Sequence, residues 1–260
     1  MSRIVTLTTD FGTGSDYVAE LKGRLLHARS PVTLVDIAHD LPPHDIRAAA
    51  RLVGQACFAF PPDTLHLVVV DPGVGTNRRL VWARLGDQEF LCPDNGVLSY
   101  ALRRTPLVKA RTLHVAATAS ATFHGRDVLA PAAVQLLDGD HPDALGSRLA
   151  SPISIEWPEP RETEAGLEGE VIHIDTFGNL VTNLPAALWP RVEAAGGVVV
   201  GPLRVTTLVR TYGDAAPGTV VALVGSHGFV EAAVVEGHAA DRLAAHVGMA
   251  VGIEPSPNKP

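Results

Sequence analysis

The sequence predicts an α/β fold: an N-terminal domain built on a mostly parallel sheet with flanking helices, then a smaller C-terminal antiparallel β domain. Three observations carry this. In the first half, short β-branched runs alternate with segments whose apolar residues recur at helical spacing. The run "TLHLVVVD" is apolar at nearly every position, as a strand covered on both faces of a parallel sheet must be. Beyond residue 170 the helical spacing gives way to short β-like pieces separated by Gly, Pro and Asp-rich turns.

In chain order, "RIVTLTTD" reads as the first strand, and "DYVAELKGRLLHA" as a helix with Ser15 as its N-cap. "VTLVDIAHD" is the next strand, and "HDIRAAARLVGQACFAF" the next helix, stopped by Pro61 and Pro62. "TLHLVVVD" is the third strand, "EFLCPDNG" a further one ending in a turn, and "GRDVLAPAAVQLLDG" a helix closed by Gly139. Prolines and acids then dominate "SPISIEWPEPRETEAGLEGE", where no apolar period survives. The reading is an α/β domain over residues 1–152, a linker over 153–167 and a β domain over 168–254. The tail "EPSPNKP" is expected to fray.

With 260 residues and 46% hydrophobic content the chain can bury a substantial core. A net charge of −7 argues against a general binder of nucleic acid or anionic membranes. Cys57 and Cys92 stand far apart in apolar contexts, as reduced core thiols of a cytoplasmic protein. Asp10 comes too early for a signal peptide, and no window approaches a membrane span.

Open α/β sheets place ligands beyond the carboxyl ends of their strands. Three acidic turns fall there: "TTDFGTGSD", "DIAHD" and "VVVDPGVGTNRR". One such Asp commonly caps a turn; three at one sheet edge point to a site. "GTGSDY" has half of a dinucleotide fingerprint, but Tyr17 stands where the third glycine belongs, so no nicotinamide cofactor is expected. His39, Asp40, His44 and Asp45 could contribute metal ligands, yet two prolines separate the histidines and no regular helix presents them together; no metal is expected. In "DPGVGTNRR", Pro72 and Gly73 force a turn and Gly75 permits a close approach of the backbone. Arg78 lies seven residues beyond Asp71, within reach of its carboxylate, whereas Arg79 reads as a solvated cation. His124 lies in "TFHGRD", before a helix.

The motifs "TTDFG", "DPGVGTNRR", "PDNG", "TFHGRD" and "IDTFGN" occur in this order. Together they resemble the S-adenosyl-L-methionine (SAM) hydroxide adenosyltransferases, adenosine-forming hydrolases related to the fluorinases and chlorinases. The resemblance runs from about residue 4 to residue 250. It implies a homotrimer with SAM held between the N-terminal domain of one subunit and the C-terminal domain of the next, and no cofactor. It also implies that Asp71, Arg78 and His124 handle a water that attacks the ribose C5′ and expels methionine. Asp10 resembles the acid that accepts the ribose hydroxyls. Asp16 and Asp175 correspond to acids that meet the methionine ammonium, and Ser226 to the residue at its carboxylate. Asn179 matches the reader of the adenine edge, with Phe123 and Tyr212 as its aromatic neighbours.

The departures also inform. Where the fluorinase pattern has a serine after the aromatic pair, this chain has Gly125; where it has a tyrosine opening its loop, this chain has Asp71. An acid there repels a halide and favours water. His227 replaces a halogenase arginine. The competing readings are a nucleoside- or SAM-binding protein without turnover and, third, a SAM-dependent halogenase.

Overall fold

The computed structural model describes residues 2–255 and divides after Trp157 into two compact units. The stretch 256–260, which holds most of the tail expected to fray, lies outside the described residues.

Unit 1 comprises β1 (Arg3–Thr9), α1 (Asp16–Leu25), β2 (Val32–Ala38), α2 (Ile46–Ala56), β3 (Leu65–Val69), β4 (Leu80–Leu85), β5 (Gln88–Pro93), α3 (Ser99–Arg104), β6 (Leu107–Thr112) and α4 (Ala130–Leu137). The strands form one sheet in the order β2-β1-β3-β5-β4-β6. Strands β2, β1, β3 and β5 run parallel; β4 runs antiparallel to both of its neighbours. The reversal is local chemistry: only Gly86 and Asp87 separate β4 from β5, and a parallel pair needs a crossover of a dozen or more residues.

Helices cover both faces, which is why β3 is apolar at every position but one. Leu65, Leu67 and Val69 pack with Leu21 and Leu25 of α1 and Leu136 of α4. Val68 and the following Val70 pack with Ala49 and Val53 of α2 and Ala101 of α3. The caps follow the sequence: Tyr17 N–H donates to Ser15 Oγ at 3.2 Å, and Ala48 N–H to Asp45 Oδ1 at 2.9 Å. One polar residue, His66, is wholly buried in β3. Its Nδ1 lies 2.7 Å from Thr6 Oγ1 and its Nε2 3.0 Å from Gln88 Oε1, and burial pushes its pKa down to about 4.

Unit 2 comprises β7 (Arg161–Thr163), β8 (Gly166–Ile174), β9 (Leu180–Pro185), α5 (Trp189–Ala195), β10 (Val198–Val200), β11 (Leu203–Val205), β12 (Val220–Val224), β13 (Phe229–Val234), α6 (Ala239–Leu243) and β14 (Ala250–Ile253). The order is β11-β10-β14-β8-β9-β13-β12, with β7 added on β8, and these strand pairs are antiparallel. Its core gathers Val171, Leu180, Leu184, Val230 and Val251.

Residues 153–167, read from composition as a linker, are tied down by long-range bonds that composition does not register. Ile153 N–H donates to Asp94 Oδ1 at 2.6 Å, Ile155 N–H to Ser99 Oγ at 2.8 Å, and the Trp157 ring lies against Tyr100. Arg161–Thr163 pairs with β8. No helix among the described residues is long and apolar enough to cross a membrane.

Candidate active site

The site begins where β3 ends. Val74 N–H donates to Asp71 O at 3.2 Å, Thr76 N–H to Gly73 O at 3.1 Å, and Arg78 N–H to Thr76 Oγ1 at 3.3 Å. These bonds fold the loop back so that Arg78 grips Asp71 with two parallel hydrogen bonds. Nε meets Oδ1 at 2.6 Å and Nη2 meets Oδ2. The close approach that Gly75 permits is to the chain itself. It sits at φ +78°, and a Cβ there would lie 2.5 Å from the Ala121 carbonyl oxygen. The loop before His124 is thereby seated against the loop after β3.

His124 completes the set: its Nδ1 is 2.9 Å from Arg78 Nη2, and the residue is 6% exposed. A guanidinium has no acceptor, so Nδ1 must be the lone-pair nitrogen and Nε2 carries the proton. Burial, then the Arg78 charge, pushes the imidazole pKa down and favours this neutral form. The backbone after His124 makes one wide turn, Gly125–Leu129, before α4, a feature frequent at functional sites. Gly125 is packed tightly: a Cβ would come 3.0 Å from Val69 Cγ1. Arg78 Nη1 is buried and has no hydrogen-bond partner among the described residues.

Asp10 follows β1, the neighbour of β3, and so lies at the same sheet edge. Its Oδ2 accepts the His44 N–H at 2.9 Å. Asp16 is exposed in the first turn of α1. Phe123, expected as an aromatic neighbour of a base, packs edge-on against Phe11 and Tyr17, with centroids at 5.6 and 5.1 Å. Arg126 lies 4.9 Å over its ring.

Unit 2 brings Asp175, Asn179 and Tyr212 together. The turn "DTFGN" folds on its own acid: Asp175 Oδ1 accepts the N–H of Phe177 at 2.9 Å and of Asn179 at 2.8 Å. Asn179 Nδ2 donates to Asp175 Oδ2 at 3.0 Å and to the Tyr212 hydroxyl at 3.4 Å. The phenol donates in turn to Glu231 Oε2 at 3.3 Å. Ser226 is exposed in the turn between β12 and β13.

Sequence reasoning missed Glu231, which is 5% exposed on β13; its one local signal is an acid inside the apolar run "GFVEAAVV". Burial and nearby Asp175 push its pKa up, and burial and Glu231 push that of Tyr212 up to about 12. Arg79 is exposed, as expected of a solvated cation, and it also pairs with Asp94, a side chain with no exposed surface, at 2.6 Å. A buried carboxylate needs a partner, and the second arginine of the loop supplies it. His39 is engaged by Thr9 at 2.9 Å and by Asp36 at 3.1 Å. No group of three or more His, Cys, Asp or Glu side chains among the described residues is placed to hold a metal ion.

Residues 5–146 match the SAM hydroxide adenosyltransferase N-terminal domain, and residues 169–252 its C-terminal domain. The chain is 39% identical to a protein of Thermus thermophilus named (R)-S-adenosyl-L-methionine hydrolase, over 96% of this chain and 98% of that one. A more distant relative, named fluorinase, from an Actinoplanes species is 27% identical over 87% of this chain and 89% of its own. A solved structure of a Thermotoga maritima protein superposes with a TM-score of 0.86 at 33% identity, covering 95% of this chain and 98% of that one.

Proposed function

The chain belongs to the SAM hydroxide adenosyltransferase family, and from that premise we propose that it is an enzyme that hydrolyses SAM to adenosine and L-methionine. Water forms a bond to the ribose C5′ while the C5′–S bond breaks. The bonding pair stays on sulfur, which leaves as the neutral thioether of methionine. The second proton of the water is released by way of the protein. Such a leaving group needs no acid, so the protein's task is to supply and align the nucleophile.

The observation that supports this most is the buried Arg78 Nη1, an unspent donor beside the Asp71 carboxylate and the His124 ring. With His124 Nδ1 committed to Arg78, the imidazole offers Nε2–H as a donor and Asp71 is the acceptor. Asp71 takes the proton of the attacking water; Arg78 and His124 stabilise the hydroxide character that develops. In-line alignment is worth about 7–11 kcal/mol of barrier in well-oriented reactions, more than the base contributes. The space of a halide-binding serine side chain is partly taken here by Val69 against Gly125, and the Asp71 charge opposes an incoming halide.

Asp10 holds the ribose hydroxyls, Asp16 and Asp175 the ammonium, Ser226 the carboxylate, and Asn179 the adenine edge with Phe123 and Tyr212. The assembly in this proposal is a homotrimer, each SAM lying between unit 1 of one subunit and unit 2 of the next. Phe177, 74% exposed at the tip of its turn, supports a buried role in an assembly. The reaction draws on no metal or redox cofactor, and the two buried free thiols, Cys57 and Cys92, suit a cytoplasmic location.

The test is chromatography of purified protein incubated with SAM, with chelator present and chloride varied. Adenosine and methionine formed at a rate indifferent to both are expected. A 5′-chloro product, or bound SAM with no product, would overturn the proposal.

A further inference from the structure

Glu231 has no part in the reaction as described, yet its carboxyl is buried against Tyr212, the hydrogen-bond partner of the amide proposed to read the base. It lies on β13 between Leu223 of β12 and Val181 of β9, and its side chain fills the space of a missing Cβ at Gly225. That position ends a directional chain of hydrogen bonds. A phenol has one proton, and Tyr212 gives it to Glu231 Oε2. The phenol oxygen is then left as an acceptor toward Asn179, which meets it with Nδ2. The other proton of that amide goes to Asp175 Oδ2. Both N–H groups of Asn179 are spent, so its Oδ1 is the atom left to face a ligand.

We propose that Glu231 is a positioning residue: through the Tyr212 hydroxyl it fixes the Asn179 amide with its carbonyl oxygen outward, so that the site accepts a purine bearing an amino group and rejects one bearing a carbonyl. The proposal rests on the function proposed above for the recognition of adenine by Asn179. It assigns specificity to an acid that touches neither base nor reacting atoms. Without an acceptor at position 231 the phenol proton is free to turn toward Asn179. The amide then loses one of its two restraints, and a freed N–H can serve a 6-oxo base.

The experiment is calorimetry on the full-length protein with adenosine and inosine as probes, for wild type, Glu231→Leu, Glu231→Gln and Tyr212→Phe, with kcat and KM for SAM measured in parallel. Wild type should prefer adenosine. Glu231→Leu should narrow the preference by about three- to tenfold, the size of one hydrogen bond, and raise KM more than it lowers kcat. Glu231→Gln, whose Oε1 still accepts the phenol proton, should restore the preference, and Tyr212→Phe should match Glu231→Leu with no further loss when the two are combined. Equal weakening toward both nucleosides would make Glu231 a packing residue only and overturn the proposal. So would an unchanged preference in Glu231→Leu, or none in wild type. The nucleoside preference following this pattern in a protein that leaves SAM intact would refute the hydrolase reading and keep this one.

Discussion

The two polar clusters of the molecule answer their acids differently. In unit 1, Asp71 is met by a guanidinium through two hydrogen bonds, and the same guanidinium orders His124. In unit 2, Asp175 and Glu231 are met by an amide and a phenol, and burial, with Asp175 nearby, pushes the Glu231 pKa up. A guanidinium beside a buried carboxylate offsets the cost of burying it, and in the proposed reaction that carboxylate accepts a proton from water. An acid-rich cluster satisfied by neutral donors fixes the direction of its hydrogen bonds. In the proposed function the first cluster carries the chemistry and the second the recognition.

The largest expected effect tests the first half of that contrast. Asp71→Ala should lower kcat by about 10²–10⁴-fold, the usual worth of a general base, while affinity for SAM stays within a few-fold. Stopped-flow or product assays at saturating SAM read this directly, and an active Asp71→Ala enzyme would erase the distinction between the clusters. Next in size is acid sensitivity, which should differ between the units. The folded-state pKa of His66 lies near 4 against an ordinary 6.5, so its contribution is complete above pH 6.5 and is lost as pH falls toward about 4. That amounts to about 3 kcal/mol for a fully buried imidazole. Glu231 has the opposite sign: its raised pKa makes unit 2 lose stability as pH rises through the window above 4.5. Urea midpoints across pH for His66→Asn and Glu231→Gln should flatten these two slopes separately. The smallest effects belong to recognition. Asp10→Ala and Asn179→Ala should each raise KM by roughly tenfold with kcat nearly unchanged, as loss of about one hydrogen-bonded contact implies.

Local pattern made much of unit 1 readable. The apolar run of β3 needs helices on both faces, and the Ser15 cap, the prolines after α2 and Gly139 after α4 mark real ends. The short elements β4, α3 and β6 escaped because six residues do not sustain a period. At the site, the seven-residue spacing of Asp71 and Arg78 across a turn of Pro and Gly puts the guanidinium within reach of the carboxylate, and the two meet. The Arg79–Asp94 pair and the chain from Asn179 to Glu231 join residues distant in sequence. Nothing in the local pattern around Glu231 names Tyr212 as its partner; only the folded sheet does.

The most direct measurement follows from the three carbons attached to the sulfonium, any of which water could attack. SAM is incubated with the protein in ¹⁸O-water and the products are read by mass spectrometry. The account predicts adenosine carrying ¹⁸O at its 5′-oxygen together with unlabelled methionine. Labelled homoserine with methylthioadenosine, labelled methanol with S-adenosylhomocysteine, or adenosine without the label would place the chemistry at another carbon or with another nucleophile. Any of these would contradict the assignment of Asp71, Arg78 and His124 to a water at C5′.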